Sequence, residues 1–351
     1  VVAVLKLRYD MRLDGDHPSA RADLYEAALD QVEWADRLGF DSVMFHEHHG
    51  AADGYLPSPI VMAAAAAART SRIGIVVGAL LVPLHDPLRL AEDLAVVDLL
   101  SRGRLVVTPG AGYLPEEFTM FGRAKSRRGK ALDQGLEVLT RAWSGEPFEY
   151  EGRQVRVTPR PYQRPRPPLV VGGGSRPAAR RAARAGDGFA PHLPEAWADY
   201  REELAALGLP DPGPMPRSGP RFLHVSDDPE RSWPELAPFL LHEMNSYARF
   251  ATGAQEYTGY VSTEDLDALR ASPHYRVVTP QECVALAEEL GPGGALCFRP
   301  LAGGMPPELG WSSLRLFADE VLPRLTVERD PVVRPRDAAT SSRTPREEVP
   351  Q

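Results

Sequence analysis

Eight short apolar runs recur along the chain, and hardly any of them alternates between apolar and polar residues. They occupy residues 2–8, 41–45, 72–81, 104–108, 168–171, 186–190, 221–225 and Ala295–Phe298. A strand with one face in water alternates; a continuous run rich in Val, Leu and Ile suits a parallel strand covered on both faces. The segments between the runs supply the cover. Leu24, Ala27, Ala28, Gln31, Val32, Ala35 and Leu38 keep one helical face in register and stop at Gly39. Further helical patterns span 88–100, 128–143 and 178–185, each followed closely by a glycine, and Pro280–Leu290, which has Thr279 as N-cap, proline at its first position and Gly291 as its stop. Eight strands alternating with helices predict a single α/β domain, a (β/α)8 TIM barrel over residues 1–326, rather than a doubly wound open sheet. Two insertions break the alternation: 148–157, "FEYEGRQVRV", reads as a hairpin turning at Glu151-Gly152, and 210–220 is proline-rich without a packing pattern. The segment 327–351 has too few apolar groups to build a core, so a disordered C-terminal tail is expected there.

Composition narrows the function. A formal charge of -8 opposes nonspecific nucleic-acid binding, and no run of about 18 apolar residues offers a membrane span. The start has no basic region before its apolar stretch, so no signal peptide is expected and a cytoplasmic location follows. Cys283 and Cys297 have neither CxxC nor zinc spacing and read as small buried residues. Lysine occurs only at positions 6, 125 and 130, which leaves none for chemistry in the second half.

Four stretches carry candidate chemistry. The first is "FHEHHG", residues 45–50, where His46, His48 and His49 place three of nine histidines at the end of the second strand. In a barrel that end faces the reaction chamber. Alternation puts His46 and His48 on one side and Glu47 and His49 on the other. A His-x-His pair there could bind a divalent metal, but that reading wants further ligands at later strand ends. His192 could serve, yet the eighth strand, "ALCFRP", ends without an aspartate. Proton transfer fits better, because imidazole titrates near neutrality and a carboxylate can fix its tautomer, so no metal is assigned. The second stretch, residues 170–188, runs from an apolar strand through Gly172, Gly173 and Gly174 to Ser175, Arg176 and Pro177 at a helix start. It reads as a phosphate cradle, and it is no dinucleotide fingerprint, since GxGxxG is absent. The third places Gly110 and Gly112 after the fourth strand, where close approach of a flat ligand and a simple bend are both open. The fourth is Gly78-Ala79, a small pair interrupting the third strand, explained equally by room at the barrel mouth and by packing.

Together these stretches resemble the bacterial luciferase-like monooxygenase family. The matching pieces are "DSVMFHEHH", "VVGALLVPLHDPLRLAEDLAVVDLLSRGRL", "TPGAGYLPEEFTMFG", "RRGKALDQGLEVLTRAW", "FEYEGRQVRV" and "PLVVGGGSRPAARRAARAGDGFAPH", in family order and covering residues 1–193 well. The resemblance implies a TIM barrel binding FMN, with the phosphate at Gly173, Gly174, Ser175 and Arg176 and a clamp from Arg128. It implies a non-proline cis peptide at Gly78-Ala79 beneath the flavin ring and His48 as the acid/base group. Glu47 and His49 become the neighbours that orient His48, and His192 helps close the chamber. The implied reaction uses reduced FMN, delivered by a separate flavin reductase, and oxygen to form a C4a-peroxyflavin that oxygenates a small, apolar substrate; a homodimer is also implied. A deazaflavin-dependent hydride transferase, a noncatalytic flavin-binding subunit and a metal-dependent hydrolase are the alternatives, and the "EHH" form favours FMN over deazaflavin. Where luciferase itself has a cysteine and an arginine after the fourth strand, this chain has Gly110 and Ala111, so light emission and aldehyde specificity are not carried over. Substrate contacts are expected from the loops after strands six to eight, including 242–260.

Overall fold

A computed structural model describes residues 2–15, 18–191, 193–250, 260–327 and 335–336. β1 (Val2–Tyr9) leads into α1 (Pro18–Leu38), β2 (Ser42–Phe45), α2 (Pro59–Arg69), β3 (Gly74–Leu80), α3 (Pro87–Leu100), β4 (Leu105–Pro109), α4 (Pro115–Met120) and α5 (Arg128–Ala142). A hairpin of β5 (Phe148–Tyr150) and β6 (Arg153–Val155) precedes β7 (Val170–Gly172), α6 (Arg176–Ala185), β8 (Gly188–Ala190) and α7 (Pro194–Ala206). The chain continues through β9 (Phe222–Val225), α8 (Pro229–Phe250), α9 (Leu266–Ala271), β10 (Tyr275–Val278), α10 (Pro280–Leu290), β11 (Ala295–Phe298), α11 (Pro307–Leu316) and β12 (Thr326–Val327).

Parallel pairing runs in the order β11-β1-β2-β3-β4. A Val107–Leu169 bridge carries it on toward the β7–β8 pair, and the parallel β9–β10 pair lies against β11. Helices wrap this sheet on the outside, as a TIM barrel requires. All eight runs expected from the sequence are strands of it. Their buried residues, such as Leu5, Leu7, Val43, Ile75, Val77, Leu105, Val107, Val171 and Leu296, join with α1, α2, α3, α5 and α6 in one apolar core. The hairpin turn also falls where expected: Glu151 and Gly152 have φ of 48° and 74°, the two positive angles that a type I′ turn needs.

Several elements differ from expectation. α2, "PIVMAAAAAAR", is a run of the best helix former with no polar face to make a periodic pattern. α8 carries Pro234 and Pro238 inside it, which read as breakers in the sequence. As a result residues 242–250, expected in a loop, are the last turns of a helix; 251–259 lie outside the described residues. β10 is an additional parallel strand beside β9. At the C-terminus, Val327 pairs with Ala3 rather than leaving the domain. Arg336 is also anchored: its N–H reaches Asp187 at 2.6 Å, and its guanidinium reaches the Ala183 carbonyl and the Tyr200 hydroxyl, both at 2.8 Å. The expected disorder therefore does not extend to these residues, while 328–334 and 337–351 lie outside the described ones. Among the described residues no helix is long and apolar enough to cross a membrane.

Candidate active site

Parallel strands deliver their C-terminal ends to one face of the barrel, so the segments after β1, β2, β3, β4 and β7 meet there. Immediately after β2, Glu47 is buried and works as a hub. Its Oε1 accepts from His49 Nε2 at 3.0 Å and from His85 Nε2 at 2.8 Å, and its Oε2 accepts the Leu81 N–H beyond β3. Burial alone would push this carboxyl up, but the hydrogen bonds from His49, His85 and Leu81 outweigh it and hold Glu47 at about 2 instead of 4.5. A depressed carboxylate stabilises the fold fully above its unfolded value and loses that contribution as pH falls through the folded one. Folding stability should therefore drop by about 3 kcal/mol between about pH 5 and pH 2 on account of this group. Denaturant midpoints measured across that interval should show the slope, and Glu47→Gln should flatten it.

His48 is oriented by a different carboxylate. Its Nδ1 lies 2.8 Å from Oε1 of Glu117, on α4, and the same oxygen accepts the His49 backbone N–H at 3.0 Å. The sequence-based expectation that Glu47 and His49 orient His48 is thus corrected: Glu47 points to the β3 side and holds His49 and His85. Because a carboxylate only accepts, Glu117 places the imidazole proton on Nδ1 and leaves Nε2 as the working nitrogen. Nε2 faces the Tyr113 hydroxyl at 3.3 Å, and burial raises the Tyr113 pKa so that this phenol stays protonated. The rings of Tyr55, Phe250 and Tyr113 surround the imidazole at 4.7, 5.0 and 5.5 Å. His46 has other partners. Its Nε2 accepts from Arg8 Nε at 3.2 Å, and burial, with the charges of Arg8 and Arg299, keeps its pKa well below the usual range and the ring neutral.

Below this cluster the barrel mouth is built from residues too small to intrude. The Gly78-Ala79 peptide is cis. A Cβ on Gly78 would come 2.5 Å from Thr108 Cβ, and one on Gly110 would sit 3.0 Å from the Ala79 methyl. Gly172 faces the same methyl, its position for a Cβ lying 4.0 Å away. Ala79, Gly110 and Gly172 thus form a low floor shared by β3, β4 and β7. Gly112 has φ of 73°, and a Cβ there would crowd the Phe118 ring at 3.1 Å, so its role is the bend that brings Tyr113 to His48.

The turn after β7 leads directly into α6. Gly173 has φ of 149°, and a Cβ on it would collide with Ala178 at 2.6 Å. Ser175 caps α6 in extended backbone without spending its hydroxyl on the cap. Pro177 has no N–H, so Gly174, Ser175 and Arg176 supply the amides that open the helix. Arg176 itself turns away: its guanidinium meets Glu202 at 3.0 Å and Asp199 at 3.9 Å, both on α7, which corrects its expected place over the turn. Arg181 ties α6 to the start of α5 by donating to the Gly129 carbonyl at 3.2 Å, and Arg128, next along, bonds the Lys125 carbonyl at 3.2 Å. His192 lies outside the described residues. Glu117, Tyr113 and His85 were missed as functional residues although their stretches were singled out. Nothing in spacing marks which acid on a short helix will reach back across 69 positions to an imidazole.

A family profile described as luciferase-like monooxygenase matches residues 11–291. The crystal structure of the monooxygenase RslO1 from Streptomyces bottropensis is 28% identical, with 92% of this chain and 99% of that chain covered and a TM-score of 0.72. The FMN-bound oxygenating constituent of 3,6-diketocamphane monooxygenase from Pseudomonas putida shares the fold at 19% identity, covering 93% and 100% of the two chains with a TM-score of 0.71. Limonene 1,2-monooxygenase from Rhodococcus erythropolis is 36% identical over 118 residues, 34% of this chain and 30% of that protein. Against the curated relatives it matches, the aligned part spans about half their length or less.

Proposed function

Since the chain belongs to the luciferase-like monooxygenase family, we propose that it is a flavin-dependent monooxygenase using reduced FMN and dioxygen on a small, largely apolar organic substrate. The observation that carries this reading is the His48 imidazole at the C-terminal end of the strands, locked by Glu117 through Nδ1 and presenting Nε2 among aromatic rings. The residues present fit FMN. Ala79, Gly110 and Gly172 pack against one another with no side chain larger than a methyl, and a Cβ on Gly110 would crowd the Ala79 methyl at 3.0 Å, so a flat ring would meet a low surface there. The amides of Gly174 and Ser175, the uncommitted Ser175 hydroxyl and Arg128 would hold the phosphate at the α6 N-terminus.

When bound and reduced, FMN supplies the activation of dioxygen. The chain's own residues do the rest. Glu117 fixes the imidazole tautomer; His48 Nε2 takes or returns one proton, with the Tyr113 hydroxyl as its partner. Tyr55, Tyr113 and Phe250 exclude water around that proton. Glu47 keeps the β2 and β3 ends in register through His49, His85 and Leu81. A separate flavin reductase and a homodimeric assembly belong to the same reading, and the name "oxygenating constituent" of the Pseudomonas relative supports a divided system.

The test is anaerobic titration of the purified chain with reduced FMN and, separately, with a reduced deazaflavin. Saturable binding of FMN at least about tenfold tighter, a difference of some 1.4 kcal/mol, is expected. Preference for the deazaflavin, or binding of neither, would overturn the assignment.

A further inference from the structure

The stretch "RAKSRRGK", residues 123–130, sets five cations in eight positions of a chain whose net charge is -8, and it holds two of the three lysines. The flavin reading uses only Arg128. Arg123, Arg127 and Lys130 are exposed and Lys125 is half-buried. Among the described residues none of these four makes an ion pair. The neighbouring helix is handled differently: on α6, Arg176, Arg180 and Arg181 meet Glu202, Glu203 and Asp133.

Folding alone disfavours the unpaired run. It leads into α5, whose first turn carries no acid, so its charges add to the positive end of the helix dipole. Lys125 and Arg128 are three positions apart, as are Arg127 and Lys130, and like charges at that spacing on a helix repel. A local conflict that no internal partner relieves is the pattern of a functional surface, where an anion from outside relieves it.

Its place says which anion. Phe121, just before the run, has its ring 4.7 Å from that of His49 at the β2 end, and the Gly129 carbonyl within the run accepts from Arg181 of α6 at 3.2 Å. The cations therefore line the rim of the barrel mouth from the histidine cluster to the side of α6. A surface of this kind needs no cavity beside it, because it acts through its field and raises the concentration of anions at the opening.

We propose that Arg123, Lys125, Arg127 and Lys130 form a capture surface for the phosphate end of the flavin, setting how fast the cofactor arrives rather than how long it stays. The proposal rests on the reading of the turn before α6 as the FMN phosphate site and adds the approach by which a freely diffusing cofactor reaches it. A phosphate monoester carries close to two negative charges at neutral pH, whereas a neutral apolar substrate would not respond to the field. Docking of an acidic partner protein is the other use such a surface could have, and the isolated chain with free FMN separates the two.

Anaerobic stopped-flow mixing with reduced FMN, followed by flavin absorbance, reads association and dissociation separately. With Arg123→Gln, Lys125→Gln, Arg127→Gln and Lys130→Gln combined, association at low ionic strength should slow at least about tenfold while dissociation is unchanged. The gap should close in about 1 M salt, where the screening length falls to about 3 Å. Exchanging each of these arginines for lysine and each lysine for arginine keeps the charge and should keep the rates of the unaltered chain. Association unmoved by the glutamines would overturn the proposal and leave the surface to an acidic partner. Faster dissociation in the glutamine variant, association insensitive to salt in the unaltered chain, or slow association in the charge-keeping variant would each overturn it as well. Failure of the flavin reading shows differently: reduced FMN would then not bind the unaltered chain at all, which removes the capture role with it.

Discussion

His48→Ala should lower turnover about 100-fold or more while leaving flavin affinity unchanged, because general acid–base catalysis by one positioned imidazole is worth roughly that much. The side chain contributes no anion to the pocket and no floor under the ring, so binding has no reason to follow. Glu117→Gln separates positioning from mere packing. It keeps the shape, but its amide can turn either an oxygen or an NH2 group toward Nδ1, so the imidazole tautomer is no longer fixed. Turnover should fall by about tenfold while flavin affinity holds. A purely structural loss would weaken flavin binding as well. Pre-steady-state mixing with oxygen, with flavin occupancy measured separately, distinguishes these outcomes. An unchanged rate in His48→Ala would remove the acid/base role.

How the site could be read from the chain depends on the range of the forces that build it. Strand and helix identity is written locally: the run at Ala295–Phe298 is buried on both faces and shows it as four consecutive apolar residues. The capping box at Thr279 and Glu282 announces α10 for the same reason, since its partners are three residues apart. The histidines of the β2 end, the glycine turn before α6 and the small pair in β3 stand out in the sequence too, because each is a distinctive run of residue types. What could not be read was long-range pairing. Glu47 and Glu117 are both acids near the histidines, and only the packing of α4 decides that Glu117 reaches His48 while Glu47 turns to His85. Arg12, Asp53 and Tyr247 come from three separate elements, and no spacing links them. The ion pairs of Arg176 are unreadable for a related reason, since its two acids lie on α7, distant in sequence.

The largest effect on stability should come from Arg299, which follows β11 in the stretch "ALCFRP". It is buried, with Nη1 2.6 Å from Glu243 Oε1 and Nη2 on Asp10. Burial alone would pull its pKa down, but the charges of Glu243 and Asp10 hold it well above the usual range, so the group stays cationic. Glu243 also accepts from the Tyr275 hydroxyl at 3.1 Å, which ties α8, β10 and the β1 end to this one guanidinium. Arg299→Met fills most of the same volume and removes the charge, leaving two carboxylates facing each other away from water. Breaking a buried pair in this way costs about 3–5 kcal/mol, and denaturant unfolding read by linear extrapolation should show it. The cause is testable in the same experiment. If the loss is stranded charge rather than lost packing, adding Glu243→Gln to Arg299→Met should recover at least about 1 kcal/mol, a coupling of the size expected for groups in direct contact. Simple addition of the two single effects would mean that the charges are not paired in solution as they are in the structure.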